Sequence, residues 1–284
     1  SFMSNIPREL LLSKDESRLE VVLDQRSTAG MRPTTIIVTT APQPSIPKTR
    51  IIRQTLMSMA LQPDMRNQHL IIAFDGGAVK NPARLHHKCQ QKFDEGKYSQ
   101  YKTNVKAIAR RLFHSVSFVE MPERSCLSST LRLAIQQAST KTVLVVQQDL
   151  AFSAVLPLAE LVEVVEDGTG VDHIGFRRIN NAFHERYNEK ECKVKLSGKR
   201  RRIQTKGGIR LTQTSKWSDN NHLASKQHYD KVWSVVPDGD FMEHKLLCAP
   251  MTEPQKWNTY VLGTMKDKES YIRHLDGRHS LFTF

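Results

Sequence analysis

The sequence lacks the long hydrophobic run and the cysteine pattern that would place it in a membrane-spanning, secreted or zinc-binding class. The apolar run from Thr142 to Val146 is long enough only for a strand, whereas a membrane-spanning helix needs roughly 20 residues. Leu10 to Leu12 is too short for the apolar core of a signal peptide. The four cysteines lie far apart without a CxxC pair, which predicts free thiols in a reducing compartment. We therefore expect a soluble cytoplasmic protein.

Two common nucleotide-binding motifs are also missing. Neither GxGxxG nor GxxxxGK[ST] follows the first predicted strand, which argues against a dinucleotide-binding Rossmann site and a P-loop. Acids are scarce as well, with 29 Asp and Glu against 42 Lys and Arg, so the net charge is +13. This excess predicts contact with an anionic partner: nucleic acid, a phosphorylated ligand or an acidic surface.

Apolar periodicity predicts alternating strands and helices over about 130 residues, ending near residue 165. The predicted strands are 35–40, 69–74, 115–119 and 143–146, and the predicted helices are 50–61, 98–113, 128–138 and 156–165. This order predicts an α/β fold with a mostly parallel sheet and helices on both faces. A mixed α+β half follows, with strands at 173–176, 209–211 and 258–262 and helices at 221–232 and 241–247.

Polar residues follow three of the predicted strands. They are Thr39 and Thr40, then Asp75, then Gln148 and Asp149. Because ligands of open α/β sheets bind beyond the carboxyl ends of the strands, we expect these side chains to share one site.

The run from Val145 to Phe152, Val-Val-Gln-Gln-Asp-Leu-Ala-Phe, resembles the DxD region of GT-A fold glycosyltransferases. It is most similar to the Val-Val-Glu-Asp-Asp-Leu run of family 13 N-acetylglucosaminyltransferases. The resemblance implies that Asp149 binds a divalent metal, Mn²⁺ or Mg²⁺, which holds the diphosphate of a nucleotide sugar. Gln147 and Gln148 replace the two other acids, and Gln148 is expected to bind a ribose. The alternative for Asp149 is a turn acid after a strand.

The resemblance extends over residues 34–165 and implies a GT-A fold, with a donor-binding half at 34–170, an acceptor-binding half at 171–284 and an N-terminal extension at 1–33. It implies metal-assisted, inverting transfer of a sugar from a nucleotide-diphosphate donor, with a UDP-sugar favoured, to a hydroxyl of a glycan or other acceptor. The further donor-site residues that it implies are Thr39, Thr40, Pro42, Asp75, Arg124, Ser128 and Arg132.

A second cluster of acids lies in the segment from Pro237 to His244. Asp240 and Glu243 are three residues apart, so one helical turn would place them on one face. Inverting transferases need a carboxylate base within hydrogen-bonding reach of the acceptor hydroxyl, and we favour Glu243 over Asp240. The alternative is a capping box, with Asp240 as N-cap and Glu243 as its partner.

Two further groups of residues complete the predicted site. By the same resemblance, His274 is a second metal ligand beside Asp149, and Arg273 or Arg278 binds phosphate; the alternative is a solvated tail. Trp217 and Asp219 are candidate acceptor-binding residues, because sugars stack on tryptophan and carboxylates bind hydroxyls. The alternative is a packed tryptophan before a helix cap.

Two other functions remain open from the sequence alone. Nine Lys and Arg and no acid lie between Cys192 and Ser218, which would suit a nucleic-acid-binding or nucleic-acid-modifying protein that uses residues 193–210. The glutamines at 147 and 148 would suit a catalytically inactive GT-A-like interaction domain.

Overall fold

We describe the protein from a computed structural model. The structure describes residues 32–42, 46–79, 93–178, 201–214, 217–264 and 270–275, together with 85, 89, 90, 190, 192 and 193. Most of the predicted N-terminal extension lies outside these residues.

A nine-stranded mixed sheet forms the centre of the molecule, in the order β3-β2-β1-β4-β9-β6-β10-β8-β7. Its strands are β1 (Thr35–Thr40), β2 (His69–Phe74), β3 (Val116–Glu120), β4 (Thr142–Gln147), β6 (His173–Gly175), β7 (Arg202–Gln204), β8 (Arg210–Gln213), β9 (His222–Ser225) and β10 (Thr259–Leu262). A second small sheet pairs β5 (Leu150–Phe152) with β11 (Ile272–His274).

The first four strands of the large sheet are parallel, as the sequence predicts. β1 lies between β2 and β4, with Thr39 opposite Ala73 on one side and Gln147 on the other. All six residues of β1 are buried, because a parallel sheet is covered on both faces. The expected α/β fold, with a parallel half followed by a mixed half, is confirmed.

Helices cover both faces of the sheet. They are α1 (Arg50–Ala60), α2 (Pro63–Arg66), α3 (Glu95–Leu112), α4 (Cys126–Gln137), α5 (Leu158–Glu166), α6 (Lys226–Trp233), α7 (Met242–Leu246), α8 (Ala249–Thr252) and α9 (Pro254–Trp257). Ile36 and Val38 of β1 pack with α1, α3 and α5 in one apolar cluster. Ile37, on the opposite face, packs with α4 and α6 in the other. The alternation of side chains along each strand therefore divides the core into two layers.

One predicted element differs from the structure. The segment 221–232, predicted to be one helix, forms strand β9 and then helix α6. β9 pairs antiparallel with both β4 and β6, and the Ser225 side chain caps α6 by accepting a hydrogen bond from the His228 amide at 3.0 Å. Pairing between distant strands thus overrides the local helical pattern. Strands β5, β7 and β11 were not predicted from the sequence.

The prediction of free thiols is wrong. Cys89 is bonded to Cys126, and Cys192 to Cys248, with sequence separations of 37 and 56 residues. At such separations the sequence gives no sign of which cysteines meet. The expected reducing compartment was inferred from free thiols, and disulfides of this kind persist in oxidising compartments. In the part of the chain that the structure describes, no helix has both the length and the apolarity needed to cross a bilayer.

Three histidines form a closed cluster between the sheet and α6. The ring centroid of His173 lies 4.7 Å from that of His222 and 5.1 Å from that of His228, and all three side chains are buried. Burial lowers the pKa of His222 to about 4 and that of His228 to about 3, and it holds the pKa of His173 well below 6.5. The neighbouring histidines add to this effect at His173 and His228, as does Lys231 at His228. The aromatic rings around the cluster are Trp217, Tyr229 and Trp257.

We predict that acid destabilises the protein through this cluster. Between pH 6.5 and 4 the unfolded chain binds protons on these histidines that the native state does not bind, so stability falls as pH falls. Each histidine contributes up to about 1.4 kcal/mol per pH unit. In urea unfolding at pH 7.0, 5.5 and 4.5, His228→Phe should show a shallower pH dependence than the native chain. His244→Gln, at an exposed position on α7, is the control and should keep the native slope. Equal slopes for all three proteins would contradict the prediction.

Candidate functional site

A cleft of about 260 Å³ opens at the carboxyl ends of β1, β2 and β4. It brings together most of the residues that the sequence predicts for a binding site, in the position expected for an open α/β sheet. Those residues are Thr39, Thr40, Asp75, Arg124, Gln147, Gln148, Asp149 and Asp219. The sequence did not indicate the remaining lining residues, which are Ala41, Cys89, Cys126, Leu127, Thr130 and Phe241.

Asp149 and His274 lie together at the edge of this cleft. The Nε2 atom of His274 is 3.6 Å from Oδ2 of Asp149, and the two side chains are 15% and 14% exposed. β11 pairs antiparallel with β5 and places His274 opposite Leu150, while the Leu275 amide donates to the Asp149 carbonyl at 2.9 Å. Two backbone contacts therefore hold a distant histidine beside the acid.

The Asp149–His274 pair has the chemistry of a partial metal site. Carboxylate oxygen and imidazole nitrogen both bind divalent ions. Among the residues that the structure describes, no group of three or more His, Cys, Asp or Glu side chains is arranged to hold a metal. A metal bound here would therefore take its other ligands from water and from a phosphorylated ligand, as Mg²⁺ does in many phosphate-binding sites.

The two glutamines at the end of β4 bond to the protein itself. Oε1 of Gln148 accepts a hydrogen bond from the Thr40 hydroxyl at 2.5 Å, and the Tyr101 hydroxyl lies 2.8 Å from that of Thr40. Burial raises the pKa of Tyr101 and keeps its hydroxyl protonated. Gln147 donates its side-chain amide to the Asp219 carbonyl at 2.7 Å. The glutamines thus stabilise the cleft wall, and Asp149 supplies the negative charge at the end of this strand.

Asp75 and Arg124 form a buried ion pair in the opposite wall. Oδ1 of Asp75 accepts hydrogen bonds from the Gly76 amide at 2.9 Å and from the Ser125 amide and hydroxyl at 2.8 and 3.0 Å. Oδ2 lies 3.1 Å from Nε of Arg124. Nη1 of Arg124 is buried and has no hydrogen-bond partner among the described residues, while the guanidinium lies over the Phe93 ring at 5.4 Å. The pair therefore combines a carboxylate that is held by several donors with a guanidinium nitrogen, Nη1, that makes no hydrogen bond to the described residues.

The backbone comes unusually close to this ion pair at Gly76. A Cβ atom at that position would lie 1.9 Å from the carbonyl carbon of Glu123. Only glycine allows the strand end to approach the segment that carries Arg124 so closely.

Arg132 does not line the cleft. Its Nη1 atom lies 2.8 Å from Oδ1 of Asp238, its Nη2 atom donates to the Val236 carbonyl at 3.1 Å, and its guanidinium lies over the Trp233 ring. Arg132 lies on the side of α4 that faces α6 and the segment after it, so this side chain contributes to packing between these elements.

Three other predicted residues, all described by the structure, are not among the lining residues. Ser128 is fully buried in α4, and Pro42 is buried just after β1. Arg273 is exposed on β11. Arg278 lies outside the described residues.

The two candidate bases, Asp240 and Glu243, are not among the lining residues of the cleft, although Phe241, between them in the sequence, does line it. The N-cap of α7 is Phe241 and no side chain caps the helix, so the capping-box alternative is wrong. Oδ2 of Asp240 lies 3.2 Å from the Lys245 ammonium. Oε1 of Glu243 accepts a hydrogen bond from the Ser218 hydroxyl at 3.2 Å, which links it to the segment that carries Asp219.

Trp217 cannot stack on a sugar, because its side chain is fully buried. Its ring centroid lies 6.0 Å from that of His173, inside the histidine cluster. The alternative of a packed tryptophan is therefore correct, and Asp219 is the member of this pair that reaches the cleft.

Comparisons with known proteins find similar solved structures but no similar sequences. No protein-family model and no curated protein matches the sequence. Similar solved structures include S. aureus TarS 1–349 in complex with UDP-GlcNAc, at 12% identity and a TM-score of 0.49, covering 88% of this chain and 62% of that one. Mannosyltransferase PcManGT from Pyrobaculum calidifontis in complex with GDP-Man and Mn²⁺ has 13% identity and a TM-score of 0.46, covering 86% and 62%.

GalNAc-T7 with UDP, GalNAc and Mn²⁺ is also similar, at 9% identity and a TM-score of 0.46, covering 89% of this chain and 48% of that one. The chain thus spans less than two thirds of the length of each of these three solved chains.

We predict that the Asp75–Arg124 pair contributes to stability only as a pair. Asp75→Ala leaves a buried guanidinium without its counter-charge and should cost about 3–5 kcal/mol. Asp75→Ala combined with Arg124→Met should cost clearly less than the sum of the two single variants. Urea unfolding of the four proteins in this cycle measures the coupling. Additive effects would show that the two side chains do not interact energetically.

Proposed function

We propose that this protein is a glycosyltransferase that moves a sugar from a nucleoside-diphosphate donor to an acceptor hydroxyl. The observation that carries the proposal is the Asp149–His274 pair, which lies at the mouth of a cleft lined by strand-end residues. A carboxylate–imidazole pair and a cleft of about 260 Å³ at one edge of a parallel sheet suit a ligand that has both a base and a diphosphate.

The proposed cofactor is Mn²⁺ or Mg²⁺, held by Asp149 and His274. A metal in this position would neutralise charge on the departing nucleoside diphosphate. Because Gln147 and Gln148 are neutral, the protein contributes a single carboxylate at this strand end. We therefore expect weak metal binding by the protein alone and much tighter binding when the nucleotide is present.

We propose that Asp75 and Arg124 read the nucleobase. Oδ2 of Asp75 accepts and Nη1 of Arg124 donates, and this pairing complements an N–H group next to a C=O group. Uracil and guanine present that edge, whereas cytosine presents the reverse. UDP, the nucleotide that the sequence favours, is the first of these two to test, and we propose that Thr39 contacts its nucleoside.

An inverting reaction needs a carboxylate base, and we propose Glu243 for that role. Its bond to Ser218 holds it next to the segment of Asp219, while Asp240 is neutralised by Lys245. Asp219 lies in the cleft wall, where its carboxylate is suited to contact acceptor hydroxyls. The hydroxyl proton would pass to Glu243 as the sugar carbon is attacked.

We predict nucleotide binding that depends on metal. With UDP present at about 100 times its dissociation constant together with Mn²⁺, the fold should gain roughly 2.7 kcal/mol of stability. Thermal unfolding with UDP, GDP, CDP and ADP, each with Mn²⁺ or EDTA, measures this gain. UDP and GDP should give larger shifts than CDP and ADP.

Two variants locate the metal in this experiment. Asp149→Asn and His274→Gln should remove the Mn²⁺-dependent part of the shift while leaving the protein folded. Asp167→Asn, in an exposed ion pair with Arg32, is a control of equal charge change. Unchanged metal dependence in Asp149→Asn would rule out this metal site. Absence of any nucleotide shift in the native protein would rule out the donor cleft.

We predict that Glu243→Gln lowers catalysis without changing donor binding. Loss of a general base typically costs about 10²–10⁴-fold in rate, whereas Asp240→Asn should cost less than about threefold by the same reasoning. Release of UDP from UDP-GlcNAc, with water or a simple glycoside as acceptor, measures the rate. A native rate in Glu243→Gln would exclude it as the base. UDP binding without any release from the native protein would instead identify an inactive scaffold.

A further inference from the structure

The far edge of the large sheet is basic. Among the residues that the structure describes, β7 is the last strand in the sheet order and pairs with β8 alone. From residue 201 to residue 213, which covers both strands and the turn between them, the chain has four basic side chains and no acid. All four are exposed; they are Arg201, Arg202, Lys206 and Arg210. We call this surface, 201–213, the basic edge.

The pairing register places two arginines on one face of the basic edge. Arg202 lies opposite Thr212 and Gln204 lies opposite Arg210, so Arg202 and Arg210 are diagonal neighbours. Diagonal positions in an antiparallel pair are about 7–8 Å apart. Gln204 is also exposed on this face. Two guanidinium groups with an amide between them can bind anionic groups and neighbouring hydroxyls together.

A hydrogen bond to the carboxylate of Glu160 holds the turn of the basic edge in place. Oε1 of Glu160 on α5 accepts a hydrogen bond from the Gly207 amide at 2.8 Å. Arg201 packs on the loop before β6 through its bond to the Thr169 carbonyl at 3.3 Å. Both ends of the hairpin are therefore anchored. Thr212, on the same face, is buried, whereas Arg202, Gln204 and Arg210 are exposed.

From this geometry we infer that the basic edge binds an anionic polysaccharide. Its positive charge and exposed edge suit an extended polyanion more than a single small ligand. The two disulfides favour a glycan over a nucleic acid, because disulfide-bonded proteins occur mainly in oxidising compartments. β7 lies five strand positions from β4, or about 24 Å at the usual spacing, so the polymer would contact the protein far from the cleft.

Binding at the basic edge does not depend on the proposed reaction. A role for the bound polymer as the acceptor chain does rest on the proposed function, since only a transferase would extend or decorate it. Glycan binding and UDP binding are therefore measured separately. A protein that does not bind the glycan could still bind UDP, and the reverse also holds.

The test uses fluorescently labelled heparin oligosaccharide as the anionic glycan. Fluorescence anisotropy compares it with neutral dextran and with 20-nucleotide single-stranded and duplex DNA at 50 and 150 mM NaCl. We expect binding to heparin that weakens with salt, no binding to dextran and weaker binding to DNA. Tighter binding to DNA than to heparin at both salt concentrations would overturn the inference in favour of a nucleic-acid surface.

A pair of charge-matched variants locates the surface. Arg202→Gln with Arg210→Gln should weaken heparin binding about tenfold, the loss expected when charge-assisted contacts are removed. Arg110→Gln with Arg111→Gln, at exposed positions on α3, removes the same charge elsewhere and should change binding less than about twofold. Both variants should keep the native thermal midpoint and the native UDP response. Equal losses in the two variants would show that binding follows net charge alone and would overturn the inference.

Discussion

The parallel pairing of β1 with β2 and β4 is the constraint on which the candidate site depends. Parallel strands end at the same edge of a sheet, so three side chains far apart in sequence, Thr39, Asp75 and Gln147, meet around one cleft. The strands pair because their apolar residues are buried on both faces. The site is therefore a consequence of the core, and the pairing of β11 with β5 adds His274 to it.

The charges of the cleft are distributed unevenly. On one wall, Asp75 is compensated by Arg124 and by four hydrogen-bond donors. On the other wall, Asp149 lies beside the imidazole of His274, and neutral glutamines occupy the two preceding positions. A diphosphate with its metal would add both charge and ligands at that second wall. This imbalance is the physical reason for coupling metal binding to nucleotide binding.

Much of the first, parallel half of the fold could be predicted from the sequence because its signals are local. The apolar runs of β1, β2 and β4 predict buried strands, and the polar residues after them predict a site. The features that were missed depend on distant contacts. Short strands such as β5, β7 and β11 form only when a partner is present, and the 221–232 helix was predicted because its local periodicity does not show the pairing of β9.

The same reasoning explains the errors within the site. A cysteine pair separated by 37 residues leaves no local signal, and neither does the turning of Arg132 towards Asp238. Residue type alone does not decide the role of Trp217, because a tryptophan can stack on a sugar or pack in a buried core equally well. By contrast, the family resemblance predicts that His274 lies beside Asp149, and in the structure the two side chains are 3.6 Å apart.

The central claim is that Asp149 and His274 hold a divalent metal against the diphosphate of a nucleotide in this cleft. A crystal structure of the protein with UDP and Mn²⁺, with data collected at the manganese absorption edge, tests it most directly. The account predicts one strong anomalous peak within bonding distance of Oδ2 of Asp149 and Nε2 of His274, with the uracil beside Asp75 and Arg124. Nucleotide bound elsewhere, or manganese bound away from both side chains, would contradict it.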